Sequence, residues 1–259
     1  MKIFINADSY KEIASKTKDE IISCCNGLDI KIVDDSKKAD IIFSIGGDGT
    51  FLKTASLTDK PIIGVNTGTL GYLTEVNPDD LKNALDNILD GNYHVEDRMM
   101  VEGSIIRSNG DVISIPESLN EIAISKNING VVRFDAIVND KLINSYIADG
   151  IMVCTPTGST AYNLSCGGPI VDPTAEILTL TPVAPHTVLN KSIILSKRST
   201  VKIEITELRD NTSAYVLHDG IPIELASGDT VEIKKSDKVT KIIKLEDRSF
   251  IDTIRENIS

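Results

Sequence analysis

A single carboxylate set among glycines, Ile45-Gly46-Gly47-Asp48-Gly49-Thr50, carries the strongest chemical signal in the chain. An apolar run, Ile41-Ile42-Phe43-Ser44-Ile45, precedes it and reads as a buried strand, while Phe51-Leu52-Lys53-Thr54-Ala55 follows and can open a helix. A glycine turn between a strand and a helix N-terminus aims backbone N–H groups at an anion, and glycine lets the backbone approach a phosphate with no Cβ in the way. Gly46, Gly47 and Thr50 are therefore phosphate-binding candidates. Asp48 works against them, since a carboxylate repels the anion that such a turn attracts. Its presence points to chemistry on a hydroxyl, whose proton a carboxylate can accept. From spacing alone, Asp48 reads equally well as the N-cap of the following helix, a position aspartate favours.

Three further segments carry chemistry. Asn66-Thr67-Gly68-Thr69-Leu70-Gly71-Tyr72 follows the strand 61–65 and would emerge at the same carboxyl edge of a parallel sheet, where ligands of open α/β sheets bind. Asn120-Glu121 opens a strand-like stretch and offers an amide and a carboxylate to ribose hydroxyls; a solvated turn is the plainer reading of this pair. The string from Asp149-Gly150 through Thr155-Pro156-Thr157-Gly158-Ser159-Thr160-Ala161-Tyr162-Asn163-Leu164-Ser165-Cys166-Gly167-Gly168-Pro169 crowds glycines and small hydroxyl residues round one tyrosine. Ser159, Thr160 and Ser165 can donate hydrogen bonds there, and the Tyr162 ring can stack on a base. The chain contains no G-x-x-x-x-G-K-[ST] and no G-x-G-x-x-G. His94, His186 and His218 show no metal-ligand spacing and read as surface or boundary residues.

Composition bounds what these motifs can serve. The chain has 259 residues, 41% apolar and 25% charged, enough for one large domain or two ordinary ones. A formal net charge of −11 argues against nucleic-acid binding and for a protein that takes a small ligand. No window reaches the ~20 apolar residues that a membrane helix requires, and the N-terminus is too short and strand-like for a secretory signal. Cys24, Cys25, Cys154 and Cys166 form no C-x-x-C pair, so a reduced, cytoplasmic setting is expected.

The elements that must position these residues follow two grammars. Strands at 2–6, 30–33, 41–45 and 61–65 alternate with helices, which implies a parallel sheet with helices on both faces. Ser9 and Glu12 form a capping box for a helix with Ile13, Ala14, Thr17, Ile21, Cys24 and Cys25 on its apolar side. Asn77-Pro78-Asp79-Asp80 starts another, with Leu81, Leu85, Ile88 and Leu89 apolar and Gly91 at its end. Beyond about residue 97, short strands prevail, at 131–138, 201–206, 215–217, 231–234 and 239–245. Hairpin signals separate them at Asn109-Gly110, Asn129-Gly130, Asn139-Asp140, Asp219-Gly220 and Gly228-Asp229. One helix is expected from Pro173 to about Leu180, with Asp172 as N-cap. The reading is an α/β domain over 1–97 with a Rossmann-like parallel sheet, an all-β sandwich over 98–245, and a polar tail, 246–259, that can return to the first domain.

Together the four segments resemble the NAD kinase family over most of the chain. Gly46-Gly47-Asp48-Gly49-Thr50 looks like that family's signature turn, Asn120-Glu121 like its paired ribose-binding residues, and the block from Thr155 to Pro169 like its long glycine-rich stretch. Val95-Glu96-Asp97-Arg98-Met99-Met100 and Pro185-His186-Thr187 also have counterparts there. Tyr72 stands where the family often has phenylalanine, and Lys191 where arginine is common. G-G-D-G alone is shared with lipid kinases, which would call for an apolar cleft or a basic membrane-facing patch. A dinucleotide sensor without catalysis is the third reading, and the retained Asp48 argues against it.

The resemblance implies phosphoryl transfer from ATP or another donor to the 2′-hydroxyl of the adenosine ribose of NAD, giving NADP. It implies a two-domain subunit with the site in the cleft between domains, a homodimer or homotetramer, and a divalent cation such as Mg2+ carried on the ATP phosphates. Asp48 then corresponds to the catalytic aspartate. Gly49, Lys53, Asn120, Glu121, Asp149, Thr160, Ala161, Tyr162, Asn163, Leu164 and Ser165 contact the dinucleotide, with Tyr72 and Ala184 at its adenine end.

Overall fold

Strands and helices alternate through the N-terminal part of the chain as β1 (Lys2–Ala7), α1 (Glu12–Cys25), β2 (Lys31–Ile32), β3 (Ile41–Gly46), α2 (Asp48–Ala55), β4 (Ile62–Asn66) and α3 (Leu81–Asp90). The structure is a computed structural model that describes the chain apart from residues 27, 69–70, 128–129, 209–211, 246–248 and 259, and the side chains of 256–258. The chain divides into two units, Met1–Arg98 with Val239–Ser259, and Met99–Lys238.

In unit 1 the strands run parallel in the order β2-β1-β3-β4. The chain moves outward from β1 to β2 on one side and from β3 to β4 on the other. The strand order therefore reverses between β1 and β3, and their carboxyl ends flank the crevice where such sheets bind ligands. The two faces differ because side chains alternate along a strand. Ile3, Ile5, Ile41, Phe43, Ile45, Ile63 and Val65 share one core with Ala14 and Ile21 of α1 and Leu81, Leu85 and Ile88 of α3.

The opposite face carries a cross-strand row of small or polar residues, Asn6, Ser44 and Gly64, in register. Helix α2 lies on that row. Thr54 Oγ1 accepts a hydrogen bond from Asn6 Nδ2 at 2.8 Å and lies 2.9 Å from Ser44 Oγ. A Cβ at Gly64 would come within 3.2 Å of the Phe51 ring and 2.8–2.9 Å of the Leu73 and Thr74 backbone. This close seating fixes where the first residue of α2 emerges.

Two expected caps take other forms. The Ser9–Glu12 capping box does not form: α1 starts at Glu12 with Lys11 at the N-cap and no side-chain cap. Asp8 turns the chain first, its Oδ1 accepting the Tyr10 N–H at 3.0 Å and its carbonyl the Lys11 N–H at 3.3 Å. The expected apolar face of α1 loses Ile13, which is 47% exposed. At α2 the N-cap is Gly47 and Asp48 is the first helical residue, so the carboxylate does not serve as a cap. The Asn77-Pro78 start appears as a 3-10 turn, Pro78–Asp80, feeding α3, and Gly91 ends that helix at φ 74°.

Unit 2 is built from β5 (His94–Ile106), β6 (Val112–Ser118), β7 (Glu121–Lys126), β8 (Val132–Val138), β9 (Lys141–Ala148), β10 (Gly150–Cys154), α4 (Tyr162–Ser165), β11 (Ile177–Val183), β12 (Ile193–Ser196), β13 (Val201–Glu207), β14 (Ala214–His218), β15 (Ile221–Leu225) and the first part of β16 (Thr230–Lys244). One antiparallel layer has the order β12-β11-β10-β7-β14-β15, and β9-β8-β13-β16 runs through the other. Ile122, Val153 and Val216 of the first layer share a core with Phe134, Tyr146, Ile203 and Ile233 of the second. The Phe134 and Tyr146 rings stack with centroids 5.4 Å apart. This is the sandwich expected from the alternating pattern. Its hairpins turn at Asn139-Asp140, with φ 50° and 61°, and at Asp219-Gly220, with φ 44° and 85°. The signal at Asn129-Gly130 falls partly outside the described residues.

Two elements differ from expectation. The segments 231–234 and 239–245 form one strand, β16, because the polar stretch between them is satisfied as strand. Ser236 Oγ donates to Glu102 Oε2 at 2.8 Å, and Lys238 pairs with Glu117 at 2.5 Å. Residues 239–245, expected in the second domain, belong with unit 1, where Ile242 pairs in parallel with Ile62. The helix expected at 173–180 is absent. Asp172 Oδ1 does accept the Thr174 N–H at 2.8 Å, but β-branched Ile177, Thr179, Thr181 and Val183 then extend as β11. The tail forms α5 (Phe250–Ile258), grouped with unit 1.

Gly64→Ala tests the seating of α2. Its Cβ meets backbone, which cannot swing away, so urea unfolding should show a loss of about 1–3 kcal/mol.

Candidate active site

The glycine turn sits at the carboxyl end of β3, beside the carboxyl end of β1, at the point where the strand order reverses. A pocket of about 540 Å³ opens there, lined by Asn6, Ala7, Asp8, Ser9, Tyr10, Lys11, Gly47, Gly49, Thr50 and Lys53. The glycines are informative. Gly47 has φ −104°, an ordinary value that any residue adopts, and Gly49 is not in the left-handed region. A Cβ added at either would meet nothing within 4 Å. Neither a left-handed backbone nor protein packing calls for glycine there, and the space a side chain would fill is open. Lys11 and Lys53 bring two ammonium groups to this pocket, and neither forms an ion pair among the described residues. The α2 N-terminus faces the same way and adds its partial positive charge.

Asp48 ties this turn to the second glycine loop. Its Oδ2 accepts the Tyr72 N–H at 3.0 Å and its Oδ1 the Leu73 N–H at 3.1 Å. Gly71 makes the approach possible: a Cβ there would lie 2.7 Å from Asp48 Cγ and closer still to Oδ1. Each carboxylate oxygen keeps a lone pair free for a hydroxyl donor. Burial, and after it the Asp48 charge, raises the Tyr72 phenol above its ordinary pKa. In the same loop Thr67 Oγ1 is buried with no hydrogen-bond partner among the described residues. Thr69 and Leu70 lie outside those residues.

In unit 2, Asn120 and Glu121 open β7 and are held by two neighbours. The Asp219 carboxylate accepts the N–H groups of Leu119, Asn120 and Glu121 at 2.7, 2.9 and 3.3 Å. From the other side, Thr155 N–H donates to the Asn120 carbonyl at 2.9 Å and Thr155 Oγ1 to the Leu119 carbonyl at 2.6 Å. Gly158 packs so tightly on Asn120 that a Cβ would lie 2.7 Å from its Cα. Glu121 is only 8% exposed, and its Oε2 has no hydrogen-bond partner among the described residues. Burial, reinforced by the Asp219 charge, pushes its carboxyl up to about 8.

The long segment after Asp149 divides by role. Residues 150–154 are the buried strand β10, and 155–165 turn back past β7. Tyr162 is 38% exposed; burial first, then Cys166, Asp149 and Glu121, raises its phenol pKa. Asp149 pairs with Lys126 at 2.8 Å. Thr160, Ala161 and Leu164 are half-buried, and Ser165 is exposed. Asn163 is fully buried: its Nδ2 donates to the Ser159 and Pro169 carbonyls, and its Oδ1 accepts the Thr181 hydroxyl. Ser159 bonds both ways with the Val171 backbone. These two side chains therefore brace the segment and are not offered to a ligand. Ala184 is exposed and held at φ 44°, a left-handed conformation that costs a non-glycine residue about 1–2 kcal/mol.

The structure thus assembles Gly46, Gly47, Asp48, Gly49, Thr50, Lys53 and Tyr72 in unit 1, and Asn120, Glu121, Asp149, Tyr162 and their neighbours in unit 2. Sequence reasoning missed the β1–α1 loop, Asp8 to Lys11, having read Ser9 as a cap. Its position after the first strand of a parallel sheet was the available signal. It also missed Asp219, whose Asp-Gly pair reads as a hairpin turn and does form one.

Residues 11–93 match the ATP-NAD kinase N-terminal domain, and residues 119–245 match the ATP-NAD kinase C-terminal domain. The chain belongs to the NAD kinase family. The NAD kinase of Thermoanaerobacter sp. (strain X514) is 39% identical over 248 residues, spanning 93% of this chain and 87% of that protein. An NAD kinase from Archaeoglobus fulgidus, solved in complex with ATP, superposes with a TM-score of 0.79 at 25% identity, covering 98% of both chains. Yeast NADH kinase, solved with NADH, shares the fold with a TM-score of 0.90 at 21% identity, over 100% of this chain and 87% of that one.

Two outcomes follow. Gly71→Ala should push the Asp48 carboxylate off the Tyr72 and Leu73 amides, lowering stability by about 1–3 kcal/mol in thermal melts. Because the Glu121 carboxyl is raised above its unfolded value of about 4.5, its share of stability is fully present below that pH and is lost as pH rises through about 8. Glu121→Gln should flatten that part of the stability–pH curve between those limits.

Proposed function

We propose that the chain transfers the terminal phosphoryl group of ATP to the 2′-hydroxyl of the adenosine ribose of NAD, giving NADP. One observation carries this reading: the Asp48 carboxylate, held by two backbone amides at the head of α2, stands between two glycines that line an anion pocket and leave open space there. Simple phosphate storage would not retain a negative charge there, whereas deprotonating a hydroxyl requires one.

The donor triphosphate is assigned to the pocket between the β1–α1 and β3–α2 loops. Gly47, Gly49 and the α2 N-terminus offer it backbone, and Lys11 and Lys53 offer it charge. In the reaction the ribose 2′-oxygen forms a bond to the γ-phosphorus as the bond to the β–γ bridging oxygen breaks. The leaving diphosphate takes the electron pair, and the hydroxyl proton passes to Asp48. Little covalent work falls to the protein, so positioning and charge neutralisation supply most of the rate. Among the described residues no three His, Cys, Asp or Glu side chains gather to hold a metal. A divalent cation such as Mg2+, carried on the ATP phosphates, belongs to the same reading by family resemblance and would supply neutralising charge when bound.

The dinucleotide is assigned to Asn120 and Glu121 at its ribose hydroxyls and to Tyr162 at a base. Glu121 Oε2, which has no hydrogen-bond partner among the described residues, and the partly exposed Tyr162 support this. The adenine-end roles of Tyr72 and Ala184 are carried over from the family resemblance alone. A homodimer or homotetramer working in the cytoplasm belongs to the same reading and rests on the family resemblance.

Asp48→Asn keeps the side-chain shape but removes the base. Steady-state assays with ATP and NAD should show turnover reduced by about 10²–10⁴-fold. NAD affinity by calorimetry should stay within about threefold, a change worth less than 1 kcal/mol. A variant with near-normal turnover would remove Asp48 from the chemistry.

A further inference from the structure

The Asp219 carboxylate makes an unusual set of contacts for a residue in a hairpin turn. It accepts three consecutive backbone N–H groups, those of Leu119, Asn120 and Glu121, from about a hundred positions away in the chain. Its own N–H donates to the Glu121 carbonyl at 3.2 Å. Asp219 adopts φ 44° to do so, in a turn that glycine completes at Gly220. Three donors on one carboxylate resemble the arrangement at an anion-binding nest, with the protein supplying its own anion. The backbone that this anion organises is the one that carries the two ribose-binding candidates.

We propose that Asp219 is a positioning residue for dinucleotide binding: its carboxylate fixes the Asn120-Glu121 backbone and keeps the Glu121 side chain a neutral hydrogen-bond donor to a ribose hydroxyl. This deepens the kinase reading above and rests on it. Asp219 touches neither substrate nor the reacting atoms in this account. It acts through the residues it holds.

The surroundings of Glu121 support the second half of the proposal. Asp219 faces it from the β14–β15 turn, Cys154 is its register partner on β10, and Tyr162 and Cys166 approach from α4. Burial raises both Cys154 and Cys166 above the ordinary thiol value, so neither brings a charge at neutral pH. The one basic group in the cluster, His218, is lowered by burial despite the neighbouring Asp219. Asp219 is itself raised by burial, offset by its three backbone hydrogen bonds. Of the two carboxyls, Asp219 has the donors that stabilise an anion, while Glu121 has an oxygen with none. The proton therefore belongs on Glu121. A protonated carboxyl can donate to a ribose oxygen and still accept from a hydroxyl, whereas an ionised one only accepts.

The test uses Asp219→Asn, which keeps the shape and part of the hydrogen bonding but removes the charge, with Asp219→Ala as the stronger cut. Circular dichroism and melting establish that each variant is folded. The Glu121 carboxyl is followed by carbon-13 NMR, assigned through Glu121→Gln. In the unaltered protein it should titrate near 8, and in Asp219→Asn the midpoint should move to lower pH because the neighbouring negative charge is gone. The KM for NAD should rise about tenfold with kcat changed much less, and the fall in NAD affinity with rising pH should move in step with the midpoint. A folded variant with the Glu121 midpoint and the NAD pH profile both unchanged would overturn the proposal, even if it had lost thermal stability. An unaltered protein that fails to bind NAD would overturn the kinase reading, and the ribose role of Asp219 with it.

Discussion

The Asp48 carboxylate bridges two loops that leave the same edge of the sheet, and the geometry of unit 1 converges on that bridge. It forms because residue 71 has no Cβ, because α2 seats low on a row of small residues, and because Gly47 takes the cap position that Asp48 might have filled. Each condition is local and cheap, but they are independent. Together they hold a charged group beside a pocket to which a helix N-terminus and two lysines bring positive charge. Two amide donors stabilise the carboxylate without exhausting it, so it stays available to a hydroxyl while its position is fixed from the backbone.

The second unit solves a similar problem in the opposite electrostatic sense. Here a carboxylate is stabilised by three amides, and one oxygen of the neighbouring carboxyl, Glu121 Oε2, is buried with no hydrogen-bond partner among the described residues. The pair settles the proton on Glu121. The buried hydroxyl and amide residues of the glycine-rich segment brace its path past β7, with Thr155, Ser159 and Asn163 spending their side chains on backbone groups and on the Thr181 hydroxyl. Glycine at 158 lets that path lie against Asn120. A run that looks in sequence like a row of ligand donors is largely a scaffold for a few of its members.

Much of this was legible in advance, for identifiable reasons. The buried strands at 41–45 and 61–65 are largely apolar runs, each followed by a glycine-containing loop, and the sandwich strands show period-two character, so fold class and layer type followed from periodicity. The Asp48 turn stood out because its charge contradicts its setting. What could not be read was the pairing of distant backbone groups. Asp219 gave the signature of a hairpin turn and is one, and nothing local indicated that its side chain would cap a loop a hundred residues away. Ser9 and Glu12 matched a capping box, but Asp8 turned the chain first, which put the β1–α1 loop into the pocket wall. The polar stretch 235–238 looked like a break between strands, and only side-chain partners in the fold let β16 run through it.

The most direct test of the account is the fate of a labelled phosphate. The protein is incubated with ATP carrying a labelled γ-phosphoryl group, Mg2+ and NAD, and the product is identified by chromatography and phosphorus NMR. The account predicts label in NADP, as a monoester at the 2′-position of the adenosine ribose. Label that stays in ATP or free phosphate with NAD present, and instead passes to a diacylglycerol when one is supplied, would contradict it.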